Sequence, residues 1–119
     1  MVLLCGGYIL TNDQVRHYAK KLGIRMPTKE SLPSIVVNAH YMGRGLSQPF
    51  IGVEFEGEFW NIWVTQQKDD GKWRVDPNYE KFEEREYDRG LKRKFERIGI
   101  VDVRYVTVAD PFYLAPEEE

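Results

Sequence analysis

The 119-residue sequence predicts an α+β fold with a mostly antiparallel sheet and two helices on one face, and three patterns carry that expectation. A capped amphipathic helix stands near the start, runs with a period of two occupy the middle, and a charged helix precedes a closing strand. Tight-turn signals join the middle strands, which makes those neighbours antiparallel. The nearest named arrangement is the ferredoxin-like βαββαβ order with an extra hairpin inserted.

Val2 to Ile9 is apolar and has the length of a short buried strand, although periodicity alone does not separate it from an irregular arm. Thr11 and Gln14 form a capping-box pair, with Leu10 and Val15 at the staple positions. Val15, Tyr18, Ala19 and Leu22 then share one helical face, and Gly23 ends the helix as a left-handed C′ residue. Arg25 to Pro33, with two prolines, reads as a loop. The β-branched run Ile35-Val36-Val37 makes Ser34 to Tyr41 an expected central strand, broken by Gly43-Arg44-Gly45.

From Phe50 the alternation Ile51, Val53, Phe55 against Gly52, Glu54, Glu56 marks a strand, and Glu56-Gly57 a turn. The return strand Phe59 to Gln66 points Trp60, Ile62 and Val64 one way and Phe59, Asn61, Trp63 and Thr65 the other. Asp69-Asp70-Gly71 signals a second hairpin, with Lys72 to Val75 as a short third strand. Asp76-Pro77 has the signature of a helix start, and Tyr87, Leu91, Phe95 and Ile98 line one helical face. Phe82 falls out of phase with that face, so either Gly90 bends the helix or Tyr79 and Phe82 pack elsewhere. Ile100 to Val108 is the last expected strand. Residues 1–109 form one domain, and 110–119 a tail with an acidic end.

Seventeen basic residues against nineteen acidic ones leave a net charge of −2, which argues against a polyanion partner. Lys81, Arg85, Arg89, Arg93 and Arg97 recur every four residues, but Glu80, Glu84 and Asp88 run beside them, so the stripe reads as a salt-bridged helix face. Cys5 is the only cysteine, so no internal disulfide forms, and a cytoplasmic or otherwise intracellular setting is expected. The apolar start lacks a basic residue before it and is too short to span a membrane. Two histidines and one cysteine offer no paired metal spacing, so neither metal nor cofactor is expected.

Two candidate sites remain. His40, Tyr41 and Arg44, at the end of the expected central strand, would bring an imidazole, a phenol and a guanidinium to one sheet end, as a small enzyme or ligand carrier requires. The plainer reading is a backbone-satisfying histidine beside a solvated arginine. Cys5 with His17 or His40 as base is a further combination, against which an inert buried thiol is the default.

The aromatics carry the preferred reading. Trp60, Trp63 and Trp73 fall on the expected meander, and helices on one face would leave an indole and Phe59 on the other. Phe112 and Tyr113 in the tail belong to the same set, since large apolar residues at a terminus gain by docking. The expected function is therefore a non-enzymatic interaction module that uses an aromatic sheet face and self-associates, with a protein partner or small apolar ligand as other occupants. Single-strand nucleic-acid binding has the stacking residues but lacks the charge bias.

Overall fold

The computed structural model describes residues 2–28 and 31–110. The tail 110–119 is described only at the backbone of Asp110, so the docking of Phe112, Tyr113 and Leu114 lies outside the described residues. In chain order the elements are β1 (Leu3–Leu10), α1 (Asn12–Lys21), α2 (Pro33–Gly43), β2 (Phe50–Phe55), β3 (Glu58–Asp69), α3 (Glu86–Arg97) and β4 (Arg104–Asp110). The four strands form one sheet in the order β2-β3-β1-β4, and every neighbouring pair is antiparallel. The fold is α+β, and the described helices number three where two were expected.

The first helix forms as its sequence dictates. The Thr11 hydroxyl accepts from the Gln14 amide at 3.1 Å, and the Gln14 side chain accepts from the Thr11 amide at 2.8 Å. Gly23 adopts φ of 75°, and the amides of Gly23 and Ile24 return to the carbonyls of Lys20 and Ala19.

The expected central strand at Ser34–Tyr41 is instead helix α2. Pro33 stands in its first turn, where a missing N–H costs nothing, and Val37 and Pro33 face the core one turn apart. The Gly-Arg-Gly segment is its C-terminal cap, in which Gly45 has φ of 76° and the amides of Gly45 and Leu46 bond the carbonyls of Met42 and Tyr41. Burial of one helical face against the sheet thus overrides the strand preference of Ile35-Val36-Val37.

Two further expectations are corrected. Lys72 to Val75 is not a strand; the segment only closes on Val2 through the Val2 amide on the Lys72 carbonyl and the Asp70 amide on the Val2 carbonyl, each 2.9 Å. The third helix begins at Glu86 rather than at Pro77, because Asp76 closes a turn on Asn78 and Tyr79, and the chain is then tied to β4. The Tyr79 hydroxyl donates to the Thr107 carbonyl and the Phe82 amide to the Thr107 hydroxyl. Tyr79 and Phe82, out of phase with α3, therefore pack on something else, and α3 runs unbroken through Gly90. The last strand starts at Arg104, four residues later than expected, after a left-handed Asp102 at φ of 62°.

All three helices lie on one face of the sheet. Val15 and Ala19 from α1, Val37 from α2 and Phe95 from α3 pack with Tyr8, Leu10 and Phe50, while Trp63 and Tyr18 fill the centre. Trp63 takes edge-to-face contacts from Phe50, Tyr18, Phe95 and Tyr41 at 5.2, 5.5, 5.7 and 5.9 Å. Such pairs add about 0.5–1.5 kcal/mol each beyond the area they bury.

Candidate functional site

The second face of the sheet is also apolar. Register places Cys5 and Ile9 of β1, Ile51, Val53 and Phe55 of β2, Trp60, Ile62 and Val64 of β3, and Val106 and Val108 of β4 on it together. Cys5 and Ile62 are fully buried and Ile9, Val106 and Val108 nearly so, whereas the hairpin residues Ile51, Val53, Phe55, Trp60 and Val64 are half-buried. Trp60 thus lies on the face opposite Trp63, as strand alternation requires.

Sheet curvature supports this second cluster. The β1–β3 register shifts between Gly6 and Gly7, a bulge that increases the local twist. A Cβ at Gly7 would meet the Trp63 carbonyl oxygen at 2.0 Å, so only glycine allows the two backbones to approach there. The β2–β3 hairpin extends past the end of β1, and its tip reaches β4: the Arg104 guanidinium stands 5.5 Å from the centre of the Phe55 ring and 3.5 Å from Glu56. The hairpin tip thus folds toward β4, and the side chains of this face fill the middle.

At the two sheet edges the backbone is treated differently. Along β4 the segment carrying Tyr79 and Phe82 covers the strand at Thr107. Along β2, Asn38 of α2 donates to the Phe50 carbonyl at 2.8 Å and accepts from its amide at 3.0 Å, a side-chain imitation of one strand pair. Beyond Phe50, Gly52 and Glu54 are exposed. Asn38 went unnoticed in the sequence because, inside an apolar run, a single amide reads as a break rather than as an edge cap.

A set of polar groups converges on the helix-bearing face. The Tyr8 hydroxyl donates to Glu84 at 2.8 Å, and Gln66 donates to the Tyr105 hydroxyl, the Glu83 carbonyl and Asp88. Asp88 is fully buried and accepts from the Arg85 guanidinium and amide. Burial pushes Tyr8 well above the usual phenol range, and the hydrogen bond to Glu84 pushes it further. At Asp88 burial also acts upward, but the Arg85 side chain and amide and the Thr65 hydroxyl outweigh it and hold the carboxyl below its usual range. These groups satisfy one another and fasten the 79–85 segment and the start of α3 to the sheet.

The other expected residues separate. His40 and Arg44 are exposed at the end of α2; the Tyr41 ring lies 6.1 Å from that of His40 but its hydroxyl shares a short hydrogen bond with Tyr18, and the place is a helix end rather than a sheet end. The Tyr18 phenol is pushed up by burial and then by this bond. Phe59 is exposed and lies over Gly52 on the helix-bearing side, and Trp73, 75% exposed, is off the sheet altogether. His17 and His40 lie on the helix layer, across the sheet from Cys5, so neither serves it as a base. Among the described residues no group of three His, Cys, Asp or Glu is placed to hold a metal, and no helix is long and apolar enough to cross a membrane. Compared with known proteins, the chain matches no family model, no curated protein and no solved structure.

Proposed function

We propose that the protein is a non-enzymatic interaction module that self-associates through the β2–β3 side of its sheet. The observation that carries this reading is the outer row of the hairpin: Ile51, Val53 and Phe55 stand beside Trp60, Ile62 and Val64 with no polar side chain among them. Five of those six remain half-buried, and β2 beside them keeps an exposed edge beyond Phe50. A second copy laid against this row would cover the aliphatics and Trp60, and an edge strand adds main-chain pairing to such a contact.

Catalysis finds less support, because the convergence of polar groups around Tyr8 and Asp88 consists of pairs already made. Stacking on single-stranded nucleic acid finds less still. Trp60 and Trp63 lie on opposite faces, and Arg85, Arg89 and Arg93 of the basic stripe are engaged with Asp88 and Glu86.

Sedimentation velocity over a range of concentrations tests the reading. The wild-type chain is expected to pass from monomer to dimer, and Trp60→Glu, or Val53→Glu, to stay monomeric with an unchanged circular-dichroism spectrum. Unchanged association in both variants would overturn the sheet-face assignment. A wild-type chain that is monomeric throughout would overturn self-association, and apolar-ligand binding lost in Trp60→Glu would then point to a small-molecule occupant.

A further inference from the structure

Antiparallel pairing turns the amides and carbonyls of successive residues to opposite sides of a strand, so the bonds that β2 makes with β3 fix which of its groups are left over. The Pro49 carbonyl accepts from the Val64 amide, and Phe55 and Glu58 flank the two-residue turn Glu56-Gly57, at φ of 53° and 79°. Residues 49, 51, 53 and 55 therefore face β3, and Phe50, Gly52 and Glu54 face outward. Asn38 takes both main-chain groups of Phe50. The amides and carbonyls of Gly52 and Glu54 remain, on exposed residues of the outermost strand.

Proteins ordinarily blunt an open edge with lysine, proline or a bulge. From Ile51 to Phe55 the strand has none of these, and its register with β3 is unbroken. The opposite edge, β4, is tied at Thr107 to the segment carrying Tyr79 and Phe82. The open stretch of β2 is thus short and bounded at both ends, by the Asn38 cap at Phe50 and by the turn at Glu56.

We infer that two copies of the chain pair β2 to β2, antiparallel about a twofold axis at Val53, and so join their sheets edge to edge. Outward-facing residues pair only with outward-facing ones, so the axis passes through a residue, and the structure leaves one choice. With the axis at Ile51 or Gly52, Phe50 would have to bond the second copy's Gly52 or Glu54, and its groups are already held by Asn38. With the axis at Glu54, that carboxylate meets its own copy and Gly52 falls opposite the turn residue Glu56. With the axis at Val53, Gly52 pairs with the second copy's Glu54 and Glu54 with its Gly52, so every outward group of both residues is bonded and no like charges are opposed. The ends fit as well. Phe50, where Asn38 sits, falls opposite the second copy's Glu56, where that strand has already turned away, so cap and turn clear each other. This match of length and boundaries favours a second copy over a foreign strand. On the curled face Val53 then meets the second copy's Val53 in a non-hydrogen-bonded pair, the kind that brings side chains closest, and Ile51 meets its Phe55. Trp60 stands beside Val53 in β3, so the half-buried apolar row continues across the axis. The inference rests on the self-association proposed above and gives it a register.

The test compares sedimentation velocity of the full chain with that of Glu54→Pro, Glu54→Ala and Trp60→Glu, with thermal melting as the check that each folds. Proline at position 54 removes one outward N–H and no bond to β3. Glu54→Pro is therefore expected to melt near the wild type and to associate roughly tenfold or more weakly, whereas Glu54→Ala associates as the wild type does. Cysteines test the register without proline. On mild oxidation Val53→Cys is expected to form a covalent dimer by itself, and Ile51→Cys and Phe55→Cys to do so only when mixed with each other. Undiminished association in a folded Glu54→Pro, or covalent dimers of Ile51→Cys or Phe55→Cys alone as fast as those of Val53→Cys, overturns the edge contact. If Trp60→Glu is then monomeric, the sheet-face reading survives alone. If Glu54→Pro is weakened and Val53→Cys crosslinks while Trp60→Glu still associates, the edge contact stands and the sheet-face reading falls. A wild-type chain that never associates removes both.

Discussion

The two faces of the sheet bury apolar surface by different means. One is covered by three helices and filled with rings, Tyr8, Tyr18, Phe50, Trp63 and Phe95, in edge-to-face contact. The other is filled by short aliphatics, Ile9, Ile62, Val106 and Val108, over which the sheet curls. The buried centre of the second face is made of small side chains, with Phe55 and Trp60 half-buried at its rim, and the Gly6-Gly7 bulge adds local twist there. The helix face thus depends on its rings and the curled face on its backbone.

The sharpest way to break that contrast is at Gly7. Gly7→Val adds a Cβ that the Trp63 carbonyl oxygen already occupies at 2.0 Å, and backbone offers no rotamer for relief. Loss of on the order of 4 kcal/mol, a large part of a typical domain's stability, is expected in urea titration. A midpoint near that of the wild type would show that the bulge is not what shapes the sheet.

The tryptophans offer the next largest difference. Trp63→Ala removes the ring on which four others converge and is expected to cost about 3–5 kcal/mol. Trp60→Ala, on the half-buried rim of the curled face, should cost roughly 1–2 kcal/mol in the same titration at a concentration where the chain is monomeric. Equal losses would mean that the second face is as dependent on its aromatic as the first.

Between these faces, the Asp88 cluster ties the helix layer to β3. Asp88→Asn is expected to cost about 1–3 kcal/mol near neutral pH, because the Arg85 guanidinium loses a charged acceptor. The folded carboxyl lies below its ordinary value of 3.8, so its contribution is complete above roughly pH 4 and is lost as the pH falls through the folded value. The stabilities of wild type and Asp88→Asn should therefore converge in acid. A gap that stays constant to low pH would mean that the charge of Asp88 is immaterial.

Much of this contrast was legible in the sequence, and the misses have physical causes. Strand alternation alone assigned Trp60 and Trp63 to opposite faces, and Thr11, Gln14 and Gly23 bounded α1. At residues 34–41 the β-branched run suggested a strand, since a period of two does not show that Pro33, Val37 and Tyr41 share the inward side of a helix. Asp76-Pro77 carries a true turn signal, but whether a helix follows depends on Thr107, far along the chain, where Tyr79 and Phe82 are held. The curl was least legible, since Gly6-Gly7 reads as an interruption until the strand beside it is known.

The smallest effect expected is at Arg104, which touches the hairpin tip and so looks like the clasp of the curled face. Its ion pair with Glu56 joins side chains 57 and 65% exposed, a setting in which such pairs contribute about 0.2–1 kcal/mol and are screened by salt. Its position over Phe55 adds about 0.5–1 kcal/mol at an exposed site. Arg104→Ala should therefore cost no more than about 1 kcal/mol, with part of that loss disappearing in high salt, and Arg104→Lys should restore the salt-sensitive part. If the curl is built into the backbone by the bulge, the far-UV spectrum of Arg104→Ala will match that of the wild type and Cys5 will resist thiol reagents equally in both. Rapid labelling of Cys5 in Arg104→Ala, with the melting point little changed, would reverse the assignment: the face would then open when its clasp is released, and the glycines would permit the curvature without imposing it.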